Sequence, residues 1–556
     1  MGAAGAKRAE VSPGREGGHH ASFRITEKES ALPCIKVPLI TRRYLVPRAT
    51  RGAPTMASAS APREAPPPSP SSSSSSSCWW DAPIPDASAF GQLCADEQSG
   101  GGAVSAGRSN TTGGGRGLFA ARSFARGDVV FGEAPALLVQ DADNRSVVRA
   151  CASCHAFLRR KGRPMMTTDE VEGSEGSEGG IGRGGAACGT RGGGEAGDDE
   201  CECAQGCGEA YCDSKCRDRH AADGHRILCV GPLDTWDHPL AKLKLAAARD
   251  EHGDGILALL TEATGRCFAA AAADDDAQTL PPECPGGGAH RGCPSHAALV
   301  RSHLHWFVRG AWWDHAGGSR GTRVESLRRR CAAYAGALSG AMRAAAEART
   351  CDPTVVTPLF GTDDGGLVSE RGVAELAGLL VRNQLSVVVE SPTVQRARRL
   401  LDRERRARAG AGRAESGHDE EEARALEAEL VAAGALQRRT DPSEAPGALA
   451  PSVLLSAAQD ACPAYDGAGL FPLVCLMNHS CDPNVEVWFV GGYREPARCR
   501  VVAVRDIAIG DELRHAYIDT SRPMQLRAAD LAGFGFTCDC ARCARARGGG
   551  SRMACA

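Results

Sequence analysis

The sequence has few aromatic residues and no long apolar run. Phe, Trp and Tyr together make up 5% of its 556 residues, and no run approaches the roughly 18 apolar residues that a membrane-spanning helix needs. The beginning of the chain lacks the charged, apolar and small-residue layout of a secretion signal. A net charge of -3 excludes a protein that is basic throughout. We therefore expect no membrane partner and no direct, sequence-specific binding of nucleic acid.

Glycine and proline are, by contrast, plentiful, with 67 and 31 residues. This excess indicates long unstructured stretches around a smaller folded part. The bias is strongest before residue 113, where a proline triplet at 66–68 precedes seven consecutive serines at 71–77. We predict that residues 1–112 are disordered. Their arginine-rich start is compatible with an organelle transit peptide, but four glutamates among the first 30 residues argue against one.

Hydrophobic spacing divides the rest of the chain into strand-rich and helical regions. Short strand-like segments occur within 113–133, 381–389 and 470–517. Leucines at helical intervals begin near residue 239 and predict a mainly helical region to about residue 350. The segment 393–435 is a charged helix candidate, basic in its first half and acidic in its second. A solvated helix or hairpin inserted in a loop is one interpretation, and an arm that contacts nucleosomes or RNA is the alternative.

Cysteine and histidine cluster between residues 151 and 229 at spacings typical of zinc ligands. Zinc takes four such ligands in a structural site, so eight of them predict two closed sites, and close Cys pairs favour metal in a reducing compartment. Cys201 competes with Cys203 for one position, and His220 competes with His225 for another. The pairs are Cys151-x2-Cys154, Cys203-x3-Cys207, Cys212-x3-Cys216 and His225-x3-Cys229.

The most specific patterns lie near the end of the chain. Taken singly, each has an ordinary explanation, since Asn-His-Ser is a common loop triplet and Gly-Asp-Glu a common turn. In sequence order they are Gly467-Ala468-Gly469-Leu470-Phe471-Pro472, Asn478-His479-Ser480-Cys481, Gly510-Asp511-Glu512, Tyr517-Ile518-Asp519 and Phe536-Thr537-Cys538-Asp539-Cys540-x2-Cys543.

This series resembles the SET domain of lysine methyltransferases, including its post-SET zinc knot. Together with Gly115-Arg116-Gly117-Leu118 and the cysteine-rich segment, which is similar to a MYND zinc finger, residues 113–543 resemble the SET–MYND family. The Leu470-Phe471-Pro472 lead-in and the His225-Arg226-Ile227-Leu228-Cys229 ending are closest to the fifth subtype of that family.

The resemblance implies an α+β fold, in which a β-rich SET domain of short strands carries an inserted MYND finger, a helical insert and a post-SET zinc knot. The expected divisions are a disordered N-terminal region at 1–112, a SET N-terminal part at 113–150, the MYND finger at 151–229 with a flexible insert at 161–200, a mainly helical SET insert at 230–380, the SET core at 381–537 with a charged insert at about 393–450, and the post-SET knot and tail at 538–556.

The resemblance also implies three zinc ions with interleaved ligands. The expected sets are Cys151, Cys154, Cys212 and Cys216; Cys203, Cys207, His225 and Cys229; and Cys481, Cys538, Cys540 and Cys543.

The implied activity is S-adenosylmethionine-dependent methylation of lysine in histones or other basic proteins, ribosomal proteins included. No acid–base pair is obligatory, because a lysine that enters an apolar channel loses its charge by desolvation. Tyr517 is the expected catalytic residue, with Phe534 and Phe536 as aromatic walls; family members usually carry Tyr at the position of Phe534. The implied cofactor-binding residues are Gly115, Arg116, Gly117, Leu118, Asn383, Asn478, His479 and Tyr517.

Two alternatives remain open on the sequence, and one group of histidines is given no functional role. Asn383 could equally be a surface-loop residue, since Asn is common in turns. The chain could be a catalytically silent adaptor whose MYND finger binds partner peptides. His296, His303, His305 and His315 do not repeat at metal-ligand intervals, so we interpret them as packing or interface residues. For a methyltransferase or an adaptor of this kind, we expect a location in the nucleus, the cytoplasm or both.

Overall fold

The structure, a computed structural model, describes most of the chain after residue 77. The predicted disorder of 1–77 lies outside the described residues, as does the insert predicted at 161–200 except for Glu200. Within the described part, no helix is long and apolar enough to cross a membrane. The described residues are 78–97, 99–109, 115–159, 200–231, 237–249, 252, 255–273, 293–315, 322–349, 351–361, 365–410, 416–437, 449–532 and 534–549.

The strands of the described residues are short and form small sheets with the orders β1-β2, β10-β11-β3, β12-β9, β4-β8-β7 and β5-β6. Only β12 and β9 pair in parallel. The bounds are β1 Val104–Arg108, β2 Arg116–Ala120, β3 Val129–Glu133, β4 Leu137–Gln140, β5 Cys201–Glu202, β6 Ala210–Tyr211, β7 Leu385–Val389, β8 Tyr465–Leu470, β9 Asn478–His479, β10 Val485–Gly492, β11 Glu495–Ala503 and β12 Arg514–His515.

Helices occupy the region between the finger and β7, the charged insert and the C-terminal end of the described residues. Short turns of 3-10 helix occur at Trp79–Asp81, Ala87–Phe90, Leu304–Trp306, Trp312–His315 and Val474–Leu476, with a π turn at Ala221–His225. The bounds of the helices are α1 Gly91–Ala95, α2 Ala142–Val147, α3 Ser214–His220, α4 Arg226–Leu228, α5 Pro239–Arg249, α6 Ile256–Ala272, α7 Pro294–Arg301, α8 Thr322–Ala348, α9 Pro353–Phe360, α10 Glu370–Asn383, α11 Pro392–Arg408, α12 Ser416–Ala432, α13 Pro451–Ala461, α14 Met524–Ala532 and α15 Ala541–Gly549.

Two hydrophobic cores hold the structure together. The helical core contains residues such as Phe268, Leu338 and Leu376 and is built from α5 to α10. The strand core, which includes Leu118 and Tyr465, is built from the sheets and the loops between them. Removing apolar area from water is the main stabilising contribution in both. The predicted α+β class and the helical region after residue 239 agree with this arrangement.

The N-terminal boundary of the fold lies earlier than the sequence predicted. Trp79 and Phe90 are fully buried, and β1 pairs antiparallel with β2 from Val104 opposite Ala120 onward. The prediction that 1–112 is disordered is therefore wrong for residues 78–97 and 99–109. Composition averages over serine and glycine tracts, whereas burial of Trp79 and Phe90 and the pairing of β1 with β2 both favour the ordered state.

The strand predicted at 381–389 begins too early. Helix α10 starts where the Ser369 hydroxyl accepts the Gly372 N–H at 3.0 Å, and it continues through Asn383. Gln384 is extended and ends the helix, so β7 starts only at Leu385. Val381 continues the apolar periodicity of the helix. A β-branched residue can adopt the helical conformation when it packs against a core.

The charged insert forms a helical hairpin in which the basic and acidic halves face each other. Arg396 Nη1 contacts Glu429 Oε2 at 2.6 Å, and Arg403 Nε contacts Asp419 Oδ1 at 2.7 Å. Such partly exposed ion pairs contribute little individually. Most of the stability comes from a small separate core that α11 and α12 share with α13, with Leu400, Leu426 and Leu454 buried. The hairpin interpretation is confirmed, and the nucleosome- or RNA-contacting arm stays a hypothesis.

Glu133 should make the stability of the fold depend on pH. Its carboxylate accepts the N–H groups of Leu473 at 2.8 Å and Val474 at 3.2 Å, but complete burial raises its pKa to about 8. Because this pKa lies above the usual value of an unfolded glutamate, the folded state keeps an extra proton below pH 8. The contribution of Glu133 to the free energy of unfolding should therefore decrease by about 2–3 kcal/mol between pH 6 and pH 8.5.

Urea unfolding at the two pH values measures this contribution as the difference in pH dependence between wild type and Glu133→Gln, which should have lost it. Glu495→Gln, at the exposed start of β11, is the matched control and should keep it. Equal pH slopes for wild type and Glu133→Gln would contradict the assignment.

Candidate active site

The site is built where two chain segments run side by side. β9 and β12 pair in parallel, with Asn478 opposite Arg514 and His479 opposite His515. Beyond the strands, the Ser480 N–H donates to His515 O at 2.9 Å, and the Tyr517 N–H donates to His479 Nδ1 at 3.0 Å. This pairing places the Tyr517 backbone directly beside the Asn478-His479 loop.

Asn478 joins this pair of segments to β2. Its Nδ2 donates to Arg116 O at 2.9 Å and to Glu512 Oε1 at 2.8 Å. The same carboxylate accepts from Ser109 Oγ at 2.7 Å and from Arg514 Nη2 at 2.6 Å. A Cβ at Gly117 would lie 2.9 Å from Glu512 Oε1, which explains a glycine there. No role for Glu512 was predicted from the sequence, although this residue lies in the motif Gly510-Asp511-Glu512.

Tyr517 lies at the centre of an aromatic cluster. Its hydroxyl donates to Met477 O at 2.8 Å, and burial raises its pKa, so the phenol stays neutral. Ring centroids of His479, Phe534 and Phe536 lie 5.4, 5.3 and 6.2 Å from that of Tyr517. Phe534 is 42% exposed, so the cluster reaches the surface on that side. Burial also lowers the pKa of His515 to about 3, which keeps that imidazole neutral.

Asn383 is buried and holds a segment that the sequence did not predict as part of the site. Its Nδ2 donates to Val308 O at 2.9 Å and Leu379 O at 2.7 Å, so the surface-loop interpretation is wrong. A Cβ at Gly378 would overlap the carbonyl oxygen of Gly310, which keeps α10 close to this segment. Arg116 Nη1 donates to Trp306 O at 3.1 Å from the other side. Residues 306–308 therefore lie between Arg116 and Asn383.

The predicted site residues on β2 point in different directions. Leu118 is fully buried in the strand core, and its carbonyl accepts the Leu513 N–H at 2.7 Å. The Leu118 side chain is thus not available to a ligand, whereas Arg116 reaches the Asn478 loop through its carbonyl. Gly115 lies just before the strand, and a Cβ there would meet no atom of the described residues within 4 Å. Arg116, Asn478 and Tyr517 are brought together through the Met477–His479 segment.

Eleven cysteine thiols and the imidazole of His225 form three groups of four potential zinc ligands. Within each group, the four ligand atoms lie within 4.8 Å of one another. The Sγ atoms of Cys154 and Cys212 are 3.6 Å apart, and those of Cys203 and Cys229 are 3.7 Å apart. A tetrahedral zinc ion with Zn–S bonds of about 2.3 Å requires about 3.8 Å between sulfurs, so the residues fit three zinc ions. The groups are Cys151, Cys154, Cys212 and Cys216; Cys203, Cys207, His225 and Cys229; and Cys481, Cys538, Cys540 and Cys543.

The structure also decides between the competing ligands of the finger. Cys203 and His225 belong to the second cluster, whereas Cys201 belongs to none of the three groups found in the described part of the chain. His220 stacks on His225 with ring centroids 4.7 Å apart, and its Nδ1 lies 3.1 Å from the Tyr211 hydroxyl. His220 therefore supports a ligand instead of being one.

The finger is fixed against the strand core. The Phe157 N–H donates to Gly492 O at 3.0 Å. His155 Nδ1 lies 2.9 Å from the hydroxyl of the buried Tyr465. Arg494 Nη2 donates to Cys212 O at 3.3 Å. The finger thus packs as part of the same body as the candidate site.

A family model described as "SET domain" matches residues 115–518, which is 404 of 556 residues. The chain belongs to the SET domain family. This chain also resembles curated methyltransferases over a short stretch. It is 41% identical over 78 residues to histone-lysine N-methyltransferase SMYD3 of Homo sapiens, and 44% identical over 78 residues to N-lysine methyltransferase SMYD2-A of Xenopus laevis.

A SET and MYND domain-containing protein of Dictyostelium discoideum is 38% identical over 78 residues, which is 14% of both chains. The matches with SMYD3 and SMYD2-A cover 14% of this chain and 17% of each relative; the chain thus spans about a sixth of their length. Together with the cysteine clusters, these likenesses confirm the SET and MYND combination inferred from the sequence. The fifth subtype stays a prediction.

Proposed function

We propose that this SET domain protein transfers a methyl group from S-adenosylmethionine to lysine side chains of other proteins. The observation that carries the proposal is the meeting of Arg116, Asn478 and Tyr517, which come from three separate segments and share one hydrogen-bonded site. The printed names of the relatives point the same way, since SMYD3 is named a histone-lysine N-methyltransferase and SMYD2-A an N-lysine methyltransferase.

Bound S-adenosylmethionine supplies a methyl group that is already activated by its sulfonium charge, so the protein needs to align the reactants and exclude water. The backbone at Gly115–Leu118 and the Asn478-His479 loop would hold it, together with Arg116 and Asn383. Both amide groups already donate within the protein, Asn478 to Arg116 and Glu512, and Asn383 to Val308 and Leu379. The side-chain oxygen of Asn383 also accepts the Val308 N–H at 3.4 Å. The side-chain oxygen of Asn478 and the neighbouring backbone are therefore the groups that we assign to the cofactor.

The aromatic cluster suits a lysine side chain. The rings of Tyr517, Phe534 and Phe536 provide apolar walls, and desolvation between them lowers the pKa of an entering lysine, so the amine can lose its proton to water before transfer. The neutral Tyr517 oxygen can then accept an N–H bond from the amine and interact with the partial positive charge of the methyl group. The neighbouring His479 and His515 stay neutral and add no charge that would repel it.

We propose basic proteins with exposed lysine-rich segments as the substrate class, histones and ribosomal proteins included, in the nucleus or the cytoplasm. The finger could also bind partner peptides, although its packing against the strand core favours a role as a structural support. A silent adaptor would share the zinc clusters but would have no need for S-adenosylmethionine.

Calorimetry with S-adenosylmethionine, followed by incubation with the methyl-labelled cofactor and core histones or a protein extract, tests the proposal. We expect binding of one cofactor per chain and label on lysine, with S-adenosylhomocysteine competing for the same site. Absence of cofactor binding by protein with three zinc ions would favour the adaptor.

Phe534→Tyr should shift the products toward lower methylation states. Phe534 is partly exposed and its ring lies 5.3 Å from that of Tyr517, so a hydroxyl there is not forced into the core. It would offer the amine or a water molecule a hydrogen-bond partner and leave less room for added methyl groups. Mass spectra of the mono-, di- and trimethyl products measure the shift. Phe534→Leu, which adds no hydroxyl, is the control, and an unchanged product distribution in Phe534→Tyr would contradict the prediction.

A further inference from the structure

The segment Cys78–Phe90, here called the strap, is anchored at its beginning in the helical core. Trp79 is fully buried there. Arg309, itself only 6% exposed, donates from Nη1 to Trp79 O at 3.0 Å and from Nη2 to Ala82 O at 2.6 Å. Charge-assisted bonds to two carbonyls of one turn fix the course of the backbone. The strap is thus attached by a side chain and by its main chain.

The other end of the strap packs against the candidate cofactor site. Pro85 O accepts from Arg116 Nη1 at 2.9 Å. The guanidinium carbon of Arg116 lies 5.2 Å from the centre of the Phe90 ring, within the range of a cation–π contact. Phe90 also packs on Trp306, with ring centroids 4.7 Å apart, and belongs to the strand core. The strap therefore connects both cores across Arg116.

These contacts determine where the Arg116 side chain can lie. Its Nη1 donates both to the carbonyl of Pro85 and to that of Trp306. A partly buried guanidinium that lost one of these acceptors would move toward another acceptor or toward water. The Arg116 carbonyl is the acceptor of the Asn478 amide. A shift of Arg116 would therefore move the acceptor of the Asn478 side chain and, with it, the Asn478-His479 loop.

We infer that the strap is a positioning element of the cofactor site, which holds Arg116, and through it Asn478, in the arrangement that binds S-adenosylmethionine. The inference rests on the proposed function. Tyr517 bonds to His479 and Met477, which flank Asn478, whereas the strap contacts Arg116 directly. Loosening the strap should therefore raise KM and Kd for the cofactor by a larger factor than it lowers kcat.

The full-length chain carrying Trp79→Ala should show a KM and a Kd for S-adenosylmethionine at least tenfold higher than wild type, with a smaller change in kcat. Leu245→Ala is the control, because it also truncates a large apolar side chain, at a position of α5 that is 42% exposed and lies outside the strap, and it should change KM less than twofold. Arg309→Lys keeps the charge but loses the paired bonds to the strap, so it should raise KM by a smaller factor. It replaces Trp79→Ala if that variant fails to fold, as judged by zinc content and melting temperature.

Hydrogen exchange of peptides from residues 78–90 is a second readout. Addition of S-adenosylmethionine to wild type should slow their exchange, whereas in a folded Trp79→Ala variant they should exchange rapidly. An unchanged KM in both Trp79→Ala and Arg309→Lys would overturn the inference, as would a fall in kcat with KM unchanged. Either result would leave the methyltransferase proposal intact. Failure of wild type to bind the cofactor would overturn both.

Discussion

Tyr517→Phe should slow methyl transfer by about 10²–10³-fold, the usual effect of removing one polar group that acts on the transition state. The hydroxyl is the only polar atom of that side chain, and its neighbours at the site, Phe534 and Phe536, carry none to replace it. The backbone bond from Tyr517 to His479 is unaffected by the substitution. A tenfold change in cofactor affinity would require a change of about 1.4 kcal/mol in binding free energy. We expect a smaller loss here, so the affinity should change by less than about threefold.

Rates with methyl-labelled cofactor and isothermal calorimetry measure the two quantities on the same protein. Tyr493→Phe is the matched control, because this Tyr is 40% exposed and its ring contacts Phe157, away from the site. It should have the wild-type rate. Equal labelling by wild type and Tyr517→Phe would show that the catalytic assignment is wrong.

Cys540→Ser should reduce the zinc content from three ions to two and abolish methyl transfer. The apolar group around Cys540 is small: it consists of the four cysteines with Ile518 and Leu531, and Tyr517 and Phe536 pack at its side. Structural zinc contributes on the order of 10 kcal/mol to such small folded units. Without it the segment that carries Phe534 and Phe536 should detach, and the lysine site should lose two of its walls.

Elemental analysis gives the zinc count, and limited proteolysis should show new cleavage after residue 532. Cys201→Ser is the control, since Cys201 belongs to none of the three ligand groups of the described residues, and it should keep three zinc ions and full activity. A Cys540→Ser protein that retains three zinc ions, or that has lost one and still methylates at the wild-type rate, would contradict this account.

The ligand pairs illustrate what sequence spacing can predict. Two cysteines separated by two or three residues lie on one turn, so their approach to a common ion follows from local geometry. The interleaving of the pairs came from the family resemblance, and the clusters agree with it. The choice between Cys201 and Cys203 required the structure, because both lie at acceptable distances along the chain. The x3 spacing from His225 to Cys229 already favoured His225 over His220, and the second cluster agrees.

The incorrect predictions had a common origin in averaging over neighbours. Disorder of 1–112 followed from a composition dominated by Gly, Pro and Ser, yet Trp79 and Phe90 insert into two cores that lie far along the chain. The strand predicted from Val381 followed from local β-branched residues, yet that position packs as the last turn of α10. In both cases tertiary contacts overrode a local preference, as they commonly do.

Ligand chemistry and the order of the motifs could be derived from the amino-acid sequence alone, since both belong to short segments. Only the tertiary structure decided that the strap, residues 306–308 and Glu512 meet at the candidate site. Arg116 reaches Trp306 across 190 positions, and Asn478 reaches Arg116 across 362. Contacts over such separations depend on how the two cores pack, and no periodicity or spacing in one stretch of chain encodes them.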